Sequence, residues 1–127
     1  MTRARLLLDT HVVLWWLMDD PELSDELKQT IDEELEVFVS SATIWEIAIK
    51  QGLGKLSSDV DLAEEVWRSD LQQLPVAFEH AIEAGRLPLH HRDPFDRMLV
   101  AQARTERLTL VTRDPAMSSY DVRVDKA

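Results

Sequence analysis

No cysteine occurs in the 127 residues, so neither a disulfide nor a thiolate metal site is available. The absence also fits a cytoplasmic location. No apolar run is long enough to cross a bilayer. The basic start Met1–Arg5 (MTRAR) leads into an apolar stretch broken at once by Asp9 and His11, so a signal peptide is not expected. There is no repeat, linker or low-complexity tract. Positive charge is scarce: 14 Lys and Arg stand against 24 Asp and Glu, a net charge of −10. That balance argues against gripping nucleic acid with a broad basic surface and favours metal ions or a basic partner. An enzyme of this charge can still act on RNA if metal ions neutralise its site.

What is present is an ordinary globular composition, 45% hydrophobic and 30% charged, long enough for one domain spanning 1–127 with a real core. The chain is organised around His90–Asp114 (HHRDPFDRMLVAQARTERLTLVTRD). Asp93-Pro94 is a helix start, with a capping carboxylate followed by a proline whose missing N–H would be orphaned anyway. The helix is expected to run to about Glu106, with Leu99, Val100 and Ala103 on one face and Asp96 directed toward that side. Leu108–Thr112 (LTLVT) has the look of a buried parallel strand, and Asp114 lies just past its end.

The rest of the chain repeats this arrangement. Arg5–Leu8 is an expected strand ending at Asp9, followed by a helix from His11 to about Met18. Ser24 caps an acidic amphipathic helix to Glu34, and Val37–Ser40 is the next strand. The helix after it carries Glu46, turns Ile44, Ile47 and Ala48 inward, and ends at Gly52 or Gly54. Asp61–Leu71 is expected to be helical, Leu74–Ala77 a short strand, Glu79–Gly85 a short helix and Val122–Val124 an edge strand. Strands alternating with helices give an α/β fold with a parallel sheet covered on both faces.

Taken singly, each acid has an ordinary structural use. Asp9 and Asp93 can be N-caps, Glu46 a boundary glutamate with its head in solvent, Asp96 the third residue of a capping box and Asp114 a turn residue. As a set they are harder to dismiss. Four acids able to converge at one sheet edge repel one another and resist leaving water, so a cation should offset that cost. Hard oxygen ligands without cysteine suit Mg²⁺ or Mn²⁺.

Three stretches together resemble a PIN-domain ribonuclease of the VapC toxin type: Leu6–Leu14 (LLLDTHVVL), Ser40–Leu56 (SSATIWEIAIKQGLGKL) and Leu87–Asp114, with LPVAF at Leu74–Phe78 in order between them. The match spans nearly the whole chain, and its order and spacing carry it more than any one phrase. The resemblance implies a PIN-like α/β/α sandwich with a central parallel sheet and an acidic pocket for Mg²⁺ or Mn²⁺. It implies hydrolysis of single-stranded RNA, a homodimer, and a cognate antitoxin with a basic C-terminal segment. By position, the metal and catalytic acids are Asp9, Glu46, Asp96 and Asp114, with Asp93 an additional capping acid and Thr112 a supporting hydroxyl. Lys50, Lys55, Arg92, Arg97 and Arg113 are candidate RNA contacts, with solvated surface as the alternative. The acidic net charge departs from what RNA affinity would suggest.

Other readings make different demands. A phosphoryl-accepting receiver domain wants paired acids after its first strand and a late lysine, whereas Leu8-Asp9-Thr10 and Thr112-Arg113-Asp114 supply one acid and no lysine. A haloacid-dehalogenase-type phosphatase wants Asp-x-Asp, and His11 occupies the second place. A non-catalytic acidic binding module would tolerate neutralisation of Asp96. Among the remaining residues, His11 borders the expected site, while His90 and His91 lack ligand spacing and are expected in an exposed loop. Adjacent Trp15 and Trp16 cannot both face one core, so one is expected at a subunit or partner interface, and Trp45 and Trp67 are expected to pack inside.

Overall fold

The computed structural model describes residues 5–127. Most of the Met1–Arg5 start, which bears on the signal-peptide expectation, lies outside the described residues. Five strands, β1 (Leu6–Leu8), β2 (Val37–Ser40), β3 (Gln72–Leu74), β4 (Thr109–Thr112) and β5 (Val124–Lys126), form one sheet in the order β3-β2-β1-β4-β5. Every pairing is parallel. Leu6 registers with Val37 on one side and Thr109 on the other, so β1 is central. The helices are α1 (Thr10–Leu17), α2 (Asp25–Glu33), α3 (Ser41–Gly52), α4 (Leu62–Arg68), α5 (Phe78–Arg86) and α6 (Pro94–Glu106).

The central strands read as unbroken apolar runs because both faces are covered. Leu6 and Leu8 point into a core with Val12, Val13, Leu23, Ile31, Ile47, Leu62 and Val66, under α1 to α4. Leu7 and Leu110 point the other way, onto Leu87, Leu99, Val100 and Met117 of the α5–α6 side. This is the expected α/β/α sandwich. The chain lays down β1, β2 and β3 in one direction and then crosses to β4, so the sheet order reverses between β1 and β4. Open parallel sheets bind ligands beyond the carboxyl ends of strands at such a reversal.

Local boundaries follow from capping. Asp9, Ser24, Ser40, Asp61 and Asp93 are all N-caps whose side chains accept a backbone N–H of the first turn. Helix α3 stops at Gly52, and Gly54 follows with a φ of 74°, where a side chain would be strained. Three expected boundaries shift. Helix α4 ends at Arg68, because Ser69 turns back to donate its hydroxyl to the Val66 carbonyl. The third strand is Gln72–Leu74 rather than Leu74–Ala77: Pro75 has no N–H to give a ladder, and at the sheet edge a polar Gln-Gln pair is tolerated. The last strand is Val124–Lys126, since Val122 is used in a turn, bonded to the Tyr120 carbonyl, and packs against the α6-side core.

Three packing expectations are also corrected. Ala48 is exposed, on the outer face of α3. Trp45 and Trp67 are 65% and 70% exposed, outside the core. Trp15 and Trp16 are both half-buried and both accommodated by the fold. Trp15 lies beneath the Arg113 guanidinium, 4.3 Å from the ring centroid, and the Trp16 indole donates to Asp32 at 2.9 Å.

Candidate active site

Each acid is set by the element that carries it. Asp9 follows β1 and caps α1, accepting the Val12 N–H on Oδ1 at 2.9 Å. Its Oδ2 accepts the Thr112 hydroxyl from the neighbouring strand β4. The same hydroxyl oxygen accepts the Asp114 N–H at 3.1 Å, so one threonine joins the ends of both strands at the reversal. Asp114 caps the short 3₁₀ turn Pro115–Ser119 through Oδ1, 2.9 Å from the Ala116 N–H, leaving Oδ2 to meet the His91 ring. Asp96 stands in the first turn of α6, where Asp93 caps the Phe95 and Asp96 N–H groups at 2.8 and 3.2 Å. Glu46 comes in from α3 and is 6% exposed. Its Oε1 accepts the Thr10 hydroxyl at 2.6 Å, and its Oε2 pairs with Lys50 Nζ at 2.8 Å. The solvent-exposed alternative for Glu46 therefore does not hold.

Electrostatics join the set. Burial raises the Asp9 carboxyl above its ordinary range, against the lowering effect of the Thr112 and Val12 hydrogen bonds, and Asp114 adds to the rise. Burial pushes Asp96 up to about 7, reinforced by Asp93 and also by Glu46 and Asp9, while His91 acts the other way. A carboxyl raised by three neighbouring acids is one member of a crowded anionic pocket. The open cleft there has a volume of about 330 Å³ and is lined by Asp9, His11, Trp15, Asp96, Arg113 and Asp114. Asp9, Asp96, Asp114 and Glu46 present hard carboxylate oxygens that are expensive to ionise together. That donor set fits a divalent cation such as Mg²⁺ or Mn²⁺.

His91 is the residue that sequence reasoning missed. It is not an exposed loop side chain: Nε2 lies 2.9 Å from Asp114 Oδ2 and 3.1 Å from Asp96 Oδ2. Its backbone N–H donates to the buried Tyr120 hydroxyl at 2.9 Å. Asp114 and Tyr120 lie 23 and 29 residues away in the chain, and the only local signal is its place five residues before Asp96, just ahead of the Asp93-Pro94 helix start. His90 is exposed, with its ring edge-on to Tyr120 at 5.0 Å. A second histidine cluster, Glu79, His80 and Glu106, has side-chain atoms equally close together. There, however, His80 Nδ1 accepts the Ala77 N–H at 2.9 Å and Nε2 meets Glu106 at 2.9 Å, so the ring serves as a capping group for α5.

The candidate RNA contacts separate. Lys55 and Arg92 are exposed. Lys50 is held on Glu46, inside the acid group. Arg113 is already engaged by the Trp15 ring, by Glu22 Oε2 at 2.6 Å and by the Ala127 carbonyl at 3.0 Å. Arg97 does something else entirely. Its guanidinium donates to the carbonyls of Ala84 (2.8 Å), Leu87 (3.0 Å), Pro88 (3.0 Å) and His91 (3.4 Å), tying down the loop that carries His91.

Comparison with known proteins shows the family and the fold. The family model for the PIN domain matches residues 6–123. The chain belongs to the PIN-domain family. This PIN domain is 30% identical over 123 residues to ribonuclease VapC22 of Mycobacterium tuberculosis, covering 91% of each chain. Its fold is shared with DNA-bound VapBC from Salmonella typhimurium, at a TM-score of 0.76 and 20% identity over 97% of this chain and 98% of that one. It is shared also with VapBC-5 of the VapBC toxin–antitoxin family from Mycobacterium tuberculosis, at a TM-score of 0.59 and 21% identity over 97% of each chain.

Proposed function

We propose that this VapC-type PIN domain, acting as a single unit in the cytoplasm, is a metal-dependent endoribonuclease cleaving single-stranded regions of RNA. What supports the reading is that Asp9, Asp96 and Asp114 line one cleft where the sheet order reverses, with Glu46 close enough to raise the Asp96 carboxyl, in a chain related to a ribonuclease. These four acids would hold Mg²⁺ or Mn²⁺. When bound, the metal polarises the scissile phosphate and lowers the pKa of an attacking water. The chain's own work is positional. Thr112 and Val12 fix the Asp9 carboxylate, Thr10 fixes Glu46, and Asp93 orders the turn that presents Asp96. Lys50, beside Glu46, and the exposed Lys55 and Arg92 would be the positive charges offered to the phosphate backbone. With a net charge of −10, RNA binding would depend strongly on divalent ions held by these acids.

Two partners follow. A cognate antitoxin with a basic C-terminal segment would place an arginine against the carboxylates in the metal's stead. A second copy of the chain would cover an apolar face. That face is not the Trp15–Trp16 pair, which the fold absorbs. It is the groove of about 670 Å³ lined by Trp45, Val76, Pro94, Phe95 and Met98, where Trp45 and Phe95 meet edge-on at 5.5 Å.

The test is cleavage of a fluorescent single-stranded RNA across a Mn²⁺ titration. Wild type should cleave only with metal, and Asp96→Asn should lose cleavage by about a hundredfold or more while remaining folded. Cleavage by Asp96→Asn at the wild-type rate, or by wild type in chelator, would overturn the assignment.

A further inference from the structure

His91 sits where the acids converge, yet its ring is set up to donate rather than to ligate. Its Nδ1 accepts the Asp93 backbone N–H at 3.1 Å. That lone pair is therefore committed, and in the neutral ring the proton resides on Nε2. Nε2 faces two carboxylate oxygens at once, Asp96 Oδ2 and Asp114 Oδ2, at 3.1 and 2.9 Å. A nitrogen that ligates a cation must offer a lone pair, and here Nε2 offers a proton. To free a lone pair on Nε2, the ring would have to move its proton to Nδ1 and break the bond from Asp93. The loop opposes that change. Arg97 holds the His91 and Pro88 carbonyls, and Tyr120 holds the His91 N–H.

We propose that His91 is a place-holder in this pocket: its Nε2–H bridges Asp96 and Asp114, and both carboxylates must give up that bridge when they take a divalent cation. The inference rests on the reading of the acids as a metal site. It makes His91 a positioning residue with two opposed effects. It joins two carboxyl groups that repel once both are ionised, so it stabilises the metal-free fold. It also competes for two of the metal's oxygens, so it weakens divalent binding. A metal-ligand role would couple the two effects in the opposite sense, because loss of the imidazole would then weaken metal binding.

The experiment compares wild type, His91→Phe and His91→Gln, with Asp96→Asn as the control for the site itself. Phe keeps a flat ring of similar size without an N–H, and Gln restores a donor. Mn²⁺ affinity is read by electron paramagnetic resonance of the free ion, and stability by thermal melting in chelator. For His91→Phe we expect Mn²⁺ binding roughly three- to tenfold tighter and a metal-free Tm lower by about 3–5 °C. His91→Gln should lie between it and wild type. In wild type, imidazole nitrogen shifts should report the Nε2–H tautomer in chelator, and saturating Mg²⁺ should leave that tautomer in place while breaking its hydrogen bonds. This measurement needs no variant to fold. Weaker or unchanged Mn²⁺ binding by His91→Phe, or a switch of wild type to the Nδ1–H tautomer with Mg²⁺, would overturn the role of His91 while Asp96→Asn still abolished binding. Absence of Mn²⁺ binding by wild type would remove the metal site and this inference with it.

Discussion

Thr112 donates its hydroxyl to Oδ2 of Asp9 although the two are 103 residues apart in the chain. The bond crosses from β4 to the end of β1, and it fixes an acid that is only 5% exposed. Replacing Thr112 with Val keeps the shape and removes the donor. Asp9 would then retain the Val12 N–H and the nearby His11 against its desolvation. We expect a stability loss of about 1–3 kcal/mol, and Mn²⁺ affinity lower by roughly three- to tenfold because ionised Asp9 is worse supported. Denaturant melts and Mn²⁺ titration check this. Wild-type values for both would show that Thr112 is incidental to the pocket.

A second expectation concerns pH. The folded Asp96 carboxyl is raised to about 7 by burial and by Asp93, well above its ordinary value near 3.8. A raised acid contributes stability that is fully present below the unfolded pKa and is lost as pH rises through the folded one. Metal-free wild type should therefore lose stability between about pH 4 and 7 relative to Asp96→Asn, which carries no proton there. Divalent binding has the opposite trend, since it needs the ionised form, and should strengthen up to about pH 7. Denaturation of both proteins at several pH values in chelator measures the difference. A difference independent of pH would place Asp96 in solvent rather than among the other acids.

Where the sequence was legible, local chemistry and tertiary structure agreed. The Asp93-Pro94 start, the Val37–Ser40 strand and the acids at strand ends are each written in a few adjacent residues. Glu46 was not legible in that way. Its burial depends on a threonine that arrives with α1, and helical periodicity placed it only at the edge of a stripe. His91 was hidden for the same reason, as its partners come from α6 and from beyond β4. Trp45 and Trp67 reversed the usual expectation for tryptophan, since neither ring enters the core. The third strand was misplaced because an edge position removes the apolar signal that marks a strand.

Arg97 gives a third test, of structure rather than chemistry. It was a candidate RNA contact by sequence, but its guanidinium is spread over the Ala84 carbonyl of α5 and the carbonyls of Leu87, Pro88 and His91 in the segment between α5 and α6. Lysine carries the same charge without the planar fork. Arg97→Lys should destabilise the fold by about 2 kcal/mol and speed amide exchange between residues 87 and 93. An RNA contact would instead leave stability untouched and lower only affinity for substrate.

The last prediction is the assembly face. Trp45 and Phe95 lie together at the surface, and the groove they share with Val76 and Met98 is almost wholly apolar. Isolated exposed apolar residues need no explanation, but a contiguous aromatic and aliphatic groove marks a docking surface. The groove adjoins the acid cleft through Pro94 and Phe95, which open the helix carrying Asp96. Two copies meeting there would bring two acidic clefts side by side, so pairing has to rest on apolar contact, with charge opposing it. Raising salt should accordingly strengthen the dimer. Sedimentation of the purified protein should show a dimer at micromolar concentration, and Trp45→Glu should yield a folded monomer. Trp15→Ala should leave the dimer intact, because that ring is spent beneath Arg113. A monomeric wild type, or a Trp45→Glu variant that still pairs, would move the interface elsewhere or remove it.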